Sequence, residues 1–143
     1  LNVLFVCTGN ICRSPMAERL ARQFTADDDV TFTSAGTATH PRVEPSEGTV
    51  EAMAEVGIAV EDHRSQSVWE VGDAADVIYA LSGEHRDAML RRWPDRADDI
   101  HLLRPDGESI ADPYGLGIDD YRRTRAEIEA AVRARVEAGW RAR

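Results

Sequence analysis

The chain has 143 residues, 43% of them apolar and 30% charged, with 17 basic against 26 acidic side chains for a formal charge of -9. That length and composition fit one globular domain, expected to run over 1–143, with enough apolar material for a sizeable core. The negative balance excludes general affinity for nucleic acid or anionic membrane, and no apolar run reaches the length of a membrane span.

Residues 2 to 6, Asn-Val-Leu-Phe-Val, form an unbroken β-prone run, which predicts a strand buried on both faces of a parallel sheet. Turn-rich Cys7-Thr8-Gly9-Asn10 follows. Ser14-Pro15 then supplies a helix cap and a proline at the first helical position, with Met16, Leu20 and Phe24 as an apolar stripe. Val30 to Ser34, ending in Ala35-Gly36, predicts a second strand that closes a βαβ unit. Polar residues 37 to 45, with two prolines, predict a surface loop bordering a site. Val50, Met53 and Ala54 mark a helix that stops at Gly57, and a further helical turn or two is expected over 66 to 71. Asp76 to Leu81 predicts a third strand, Gly83 to Arg92 a helix stopped by Pro94, and Ile100 to Leu103 a short fourth strand. Residues 104 to 117, dense in Pro, Gly and Asp, must be loop. The last helix begins near Ile118 or Asp119, carries Tyr121, Ile128, Val132 and Val136 on its apolar face, and frays at Gly139. This alternation implies an α/β fold: a single three-layer domain with a four-stranded, mostly parallel sheet flanked by helices on both faces.

All 17 basic residues are Arg, and Lys is absent. Lysine-dependent chemistry is therefore excluded: a Walker-type phosphate loop, a kinase ATP site, a Schiff base to pyridoxal. Any phosphate must be held by Arg and backbone amides. The opening LNVLFVCTGN lacks the cationic start and small-residue cleavage site of a secretion signal, so a cytoplasmic protein is expected. Cys7 and Cys12 are the two cysteines; they cannot staple distant parts of the fold, and His40, His63, His85 and His101 are too scattered to complete a metal site. No metal is expected. The two thiols can combine reversibly under oxidation if the loop brings them within bonding distance.

In an open parallel sheet, ligands settle beyond the carboxyl ends of the strands, and Cys7 ends the first. The loop Cys7-Thr8-Gly9-Asn10-Ile11-Cys12-Arg13 is long enough to curl into a ring of N–H groups, and the helix that follows adds its positive end. Such a ring grips a dianion, Arg13 clamps two of its oxygens, and Ser14 is placed to donate a hydrogen bond to the Cys7 sulfur. The spacing alone carries little weight, since with this much Arg it arises by chance at about one Cys in eight. A buried apolar thiol and a solvent-facing cation are the competing description, and they leave the Gly, the Asn and the Ser-Pro unexplained.

The stretch Val-Leu-Phe-Val-Cys7-Thr-Gly-Asn-Ile-Cys12-Arg13-Ser14-Pro15-Met-Ala-Glu18 resembles the signature of the low-molecular-weight protein tyrosine phosphatases. Asp112-Pro113-Tyr114-Gly115 resembles the loop that bears that family's general acid, so the likeness spans nearly the whole chain. The resemblance implies that Cys7 attacks phosphorus and becomes a cysteinyl-phosphate, with Arg13 on the equatorial oxygens and residues Thr8, Gly9, Asn10, Ile11 and Cys12 around the phosphate. Asp112 would protonate the leaving oxygen and then deprotonate the hydrolytic water. The first role needs the carboxylic acid form, which partial burial beside Pro113 and Tyr114 is expected to favour. Neither metal nor organic cofactor is implied. The resemblance further implies that Asn10 is held by Ser34 and His63, each of which is otherwise an ordinary interior polar group, and that Cys12 can form a protective disulfide with Cys7. His40, His85 and His101 have no motif around them and are expected to serve packing or the surface.

Three substrates share this scaffold. Phosphotyrosine needs a slot with apolar walls, for which Ile11 and Tyr114 are the candidates. The branch of the family that acts on protein phosphoarginine carries Thr where this chain has Ile11, and isoleucine offers a guanidinium no hydroxyl. Against this, loop 37–45 lacks the Trp or Tyr often found in tyrosine-specific members, and Gly115 replaces a second aromatic after Asp-Pro. Arsenate reduction requires a relay of thiols, and beyond Cys12 there is none. The expected enzyme is a protein-tyrosine phosphatase acting on a phosphorylated protein as a monomer or weak dimer. Protein arginine phosphatase is its alternative, and arsenate reductase comes third.

Overall fold

The computed structural model describes residues 1–141; the last two positions of the domain expected over 1–143 lie outside the described residues. Four strands, β1 (Asn2–Cys7), β2 (Thr31–Gly36), β3 (Val77–Ala80) and β4 (Ile100–Leu102), form one sheet in the order β2-β1-β3-β4. Every pairing is parallel, with Cys7 opposite Gly36 and Val6 opposite both Ala35 and Ala80. Five α-helices connect and follow the strands: α1 (Arg13–Phe24), α2 (Glu47–Ala54), α3 (Val68–Val71), α4 (Gly83–Arg92) and α5 (Ile118–Ala138). None is long and apolar enough to cross a membrane.

The unbroken apolar run of β1 follows from its central place, since both faces of the strand are covered. Val3, Phe5 and Cys7 join the core beneath α1, α2 and α5, whereas Leu4 and Val6 join a second core with Met89 and Trp93 on the α3–α4 side. Phe5 anchors the first core, with its ring 6.1 Å from those of Phe32 and Tyr79 and 5.7 Å from that of Trp140. Full burial of such a side chain is worth about 2–3 kcal/mol, so the strand that ends in Cys7 is held firmly. The loops after β1 and β3 leave the sheet towards opposite faces, which opens a crevice at the carboxyl ends of these two neighbours.

Two local expectations change. Ser14 does not cap α1: the helix begins two residues earlier, at Arg13, Cys12 occupies the cap without a side-chain bond, and Pro15 falls third. The serine is buried and its hydroxyl serves the loop. Helix α2 ends at Ala54, and Gly57 takes the left-handed turn (φ 77°) just beyond it.

Candidate active site

The loop between β1 and α1 is shaped by residues that tolerate its backbone. Asn10 sits at φ 58°, a left-handed conformation that Asn adopts more readily than most residues. Its Nδ2 donates to Ser14 Oγ (2.8 Å) and Ser34 Oγ (3.0 Å), its Oδ1 accepts from the Gln66 N–H (3.0 Å), and its carbonyl lies 2.7 Å from His63 Nε2. Ser34 and His63 thus both touch Asn10, from β2 and from the segment before α3. Ser34 in turn donates to the buried Glu18 carboxylate (2.7 Å), which pairs with Arg22 (2.9 Å) and Arg19 (3.2 Å). Burial pushes the His63 pKa down, so the ring is neutral and Nε2–H donates to the Asn10 carbonyl. Gly36, beside the loop, has no room for a side chain: a Cβ there would run into the Thr8 carbonyl oxygen.

Cys7, Thr8, Gly9, Ile11, Cys12, Arg13, His40, Asp112 and Tyr114 line one cleft of about 290 Å³ at the end of β1. Cys7 Sγ lies 2.9 Å from Ser14 Oγ. That oxygen accepts from Asn10, and its own proton faces both the sulfur at 2.9 Å and the more distant Ala35 carbonyl at 3.4 Å. Among the described residues, none of the backbone N–H groups from Thr8 to Arg13 donates to a protein acceptor. The first turn of α1 carries no acidic side chain to offset its positive end. Donors and helix dipole therefore favour an anion here.

Arg13 is 3% exposed and divides its guanidinium. Nη1 is occupied, donating to the Ile110 carbonyl (2.8 Å) and to Ser82 Oγ (3.2 Å). Nε is buried with no partner among the described residues, and Nη2 meets only the Asp112 carboxylate at 3.6 Å. The Nε–Nη2 edge is the one that forks onto two oxygens of a carboxylate or phosphate. An orphaned buried donor is costly unless a ligand takes it, and a tetrahedral dianion above Cys7 would supply the acceptors.

The Asp112 side chain is 47% exposed, so its burial is only partial, and its Oδ1 accepts from the Tyr114 N–H (3.1 Å) in a tight turn. Tyr114 lines the cleft while 63% exposed, so it forms the rim and not a deep wall. Cys12, at 4% exposure, contacts Ser46 Oγ (3.1 Å) and the Tyr121 hydroxyl (3.5 Å). Burial raises the Cys12 thiol pKa against those contacts, and burial with the nearby thiol pushes Tyr121 up to about 12.

Sequence reasoning assigned no site role to His85 or Ser82. His85 is 1% exposed, with Nε2 2.8 Å from Thr8 Oγ1 and Nδ1 3.0 Å from Ser82 Oγ. The available signal was positional: Ser82-x-x-His85 follows the third strand at the same edge of the sheet that nominated Cys7. His40, also expected at the surface, is exposed on the cleft. His101 stacks against Tyr79 in the sheet, away from the cleft.

Burial, and after it the Arg13 charge, lower the His85 pKa from 6.5 to about 4, with Asp112 opposing. The fold thus favours the neutral ring: its stabilisation is complete above pH 6.5 and is lost as pH falls from there to about 4. The loss amounts to about 3 kcal/mol. Urea unfolding of the wild-type protein and His85→Gln at pH 7 and pH 4 should show a smaller drop in the variant; equal drops would exclude His85 as the source.

The sequence profile described as "Low molecular weight phosphotyrosine protein phosphatase" matches residues 2–138. The chain is 32% identical over 139 residues to a protein-arginine-phosphatase of Bacillus subtilis, covering 93% of each protein. It is 36% identical over 144 residues to the low molecular weight protein-tyrosine phosphatase A of Mycobacterium tuberculosis, covering 92% of this chain and 87% of that protein. The solved structure of a low molecular weight protein tyrosine phosphatase from T. tengcongensis superposes with a TM-score of 0.88 at 32% identity, over 96% of this chain and 98% of that one. A profile match over nearly the whole length, with a matching fold, means that the chain belongs to the low-molecular-weight protein tyrosine phosphatase family.

Proposed function

We propose that this enzyme hydrolyses protein phosphotyrosine through a cysteinyl-phosphate on Cys7. The observation that carries the reading is the unpartnered Nε of a buried arginine that shares one cleft with a strand-end thiol and a carboxyl group. In the first step Cys7 Sγ attacks phosphorus in line, the S–P bond forms as the P–O bond to tyrosine breaks, and the Asp112 carboxyl group gives its proton to the departing oxygen. In the second, the Asp112 carboxylate takes a proton from water as that water's oxygen attacks phosphorus, the S–P bond breaks, and phosphate leaves. The exposure of Asp112 suits this exchange, because the same carboxyl group must meet both the leaving oxygen and solvent water. Arg13 and the loop amides stabilise charge on the equatorial oxygens throughout. A free thiol nucleophile beside a second thiol needs a reducing compartment, which supports a cytoplasmic setting.

The substrate assignment rests on Ile11 and Tyr114, the apolar side chains at the cleft mouth. One observation favours phosphoarginine as a second reading: Tyr114 is the single Phe, Tyr or Trp among the cleft-lining residues, so a phenyl ring would be walled on one side only by an aromatic. Phosphate release from matched phosphotyrosine and phosphoarginine peptides decides between them. The tyrosine peptide should be the faster, and Ile11→Thr should move the ratio towards arginine by about tenfold, the worth of one well-placed pocket group. A wild-type preference for arginine would overturn the first reading, and an unmoved ratio would remove Ile11 from the argument.

A further inference from the structure

We propose that His85 is a positioning residue that ties the phosphate loop to the arginine clamp, through Thr8 on one side and Ser82 on the other. The proposal rests on phosphoryl transfer at Cys7. Its basis is a continuous set of contacts spanning elements distant in sequence: Arg13 Nη1 donates to Ser82 Oγ (3.2 Å), Ser82 Oγ lies 3.0 Å from His85 Nδ1, and His85 Nε2 lies 2.8 Å from Thr8 Oγ1.

The directions of these bonds follow from one donor that cannot reverse. The Ser82 backbone N–H points at His85 Nδ1 (3.2 Å), so Nδ1 must present a lone pair and the ring proton must sit on Nε2. Ser82 Oγ accepts from Arg13, which leaves its own proton for Nδ1. Nε2–H then donates to Thr8 Oγ1, and the threonine, its acceptor side occupied, keeps its hydroxyl proton for an oxygen in the cleft it lines. The charged groups around the ring are Arg13, which opposes a second ring proton, and Asp112 and Glu84 (3.7 Å from Nε2), which favour one. Neutral His85 therefore orients two donors towards the phosphate site at once: the Thr8 hydroxyl directly and the Arg13 guanidinium through Ser82. The chain makes this link where the loops after β1 and β3 diverge, alongside the Arg13–Ser82 bond that spans the same two segments.

The test measures kcat and KM for p-nitrophenyl phosphate in His85→Phe, His85→Gln, Thr8→Val and the Thr8→Val/His85→Phe double variant, with folding checked by circular dichroism. His85→Phe keeps the bulk and loses both bonds; kcat should fall about tenfold or more, as for other small displacements of catalytic groups. His85→Gln, whose amide can still donate to Thr8, should recover most of that loss. In the Thr8→Val background, His85→Phe should cost less than in the wild-type protein. Wild-type kcat in a folded His85→Phe variant, or losses that simply multiply in the double variant, would overturn the proposal. If His85→Phe fails to fold, imidazole 15N shifts of the wild-type protein at pH 7 still decide: the Nε2–H tautomer is required, and an Nδ1–H tautomer or an imidazolium would refute it. Loss of activity in Cys7→Ser with no effect in His85→Phe removes only the positioning role, whereas activity retained in Cys7→Ser removes the phosphoryl-transfer reading beneath it.

Discussion

Cys7→Ser should lower turnover of p-nitrophenyl phosphate by roughly five to six orders of magnitude, the scale seen when a covalent nucleophile is deleted from a site that otherwise stays intact. An alcohol ionises far less readily than a thiol and has a shorter reach from Cβ, so the Ser14 hydroxyl that lies 2.9 Å from Sγ cannot compensate. Anion binding should survive, because the loop amides and the Arg13 fork are untouched. Calorimetry with inorganic phosphate should therefore give a dissociation constant close to the wild-type value while activity disappears. Hydrolysis that persists in this variant would rule out the covalent intermediate. Loss of both binding and activity would point instead to a collapsed loop.

Arg13→Lys should cost about a thousandfold in kcat/KM, the upper range for removing a preorganised donor to the developing charge. A single ammonium cannot replace the guanidinium here, because Arg13 does two things with one planar group. Nη1 satisfies the Ile110 carbonyl and Ser82 Oγ, while Nε has no partner among the described residues and Nη2 lies 3.6 Å from the Asp112 carboxylate. Lysine serves one of these at the expense of the other, and a buried carbonyl or the phosphate is left without its donor. Both kcat and phosphate affinity should fall together, unlike the Cys7→Ser pattern. A variant whose kcat/KM stays within about tenfold of wild type would mean that the amide ring alone carries the transition-state charge.

The two outcomes separate the chemistry of the sulfur from the electrostatics of its cradle. They also bear on Asp112, whose carboxylate sits 3.6 Å from Arg13 Nη2. A dianion seated on that edge would compete with the carboxylate for the same N–H and release it towards the leaving oxygen.

Much of the architecture is written locally. The apolar run at 2–6, the Pro94 stop and the periodicity of the last helix locate the elements, and α4 covers the same residues, Gly83 to Arg92, that the pattern implied. Strand and helix signals are short-range: each reflects which face of its own segment meets the core, so each is legible from neighbours in the chain. The bend of loop 7–13 is legible for the same reason, since it is made by consecutive backbone groups and Asn10 takes its left-handed conformation in place. Tertiary structure decided what crosses between segments. His85 reaches Thr8 over a separation of 77 residues, the Ile110 carbonyl takes Arg13 over 97, and Ser34 joins Glu18 to Asn10 from a different strand. Ser14 reads as a helix cap by its place before Pro15, yet burial against Cys7 and Asn10 gives its hydroxyl other partners. Asp112 likewise stands half in solvent, because a turn closed on its own neighbour holds it at the surface. Spacing along the chain carries no record of such contacts: they exist only after the parallel sheet has set the carboxyl ends of β1 and β3 side by side.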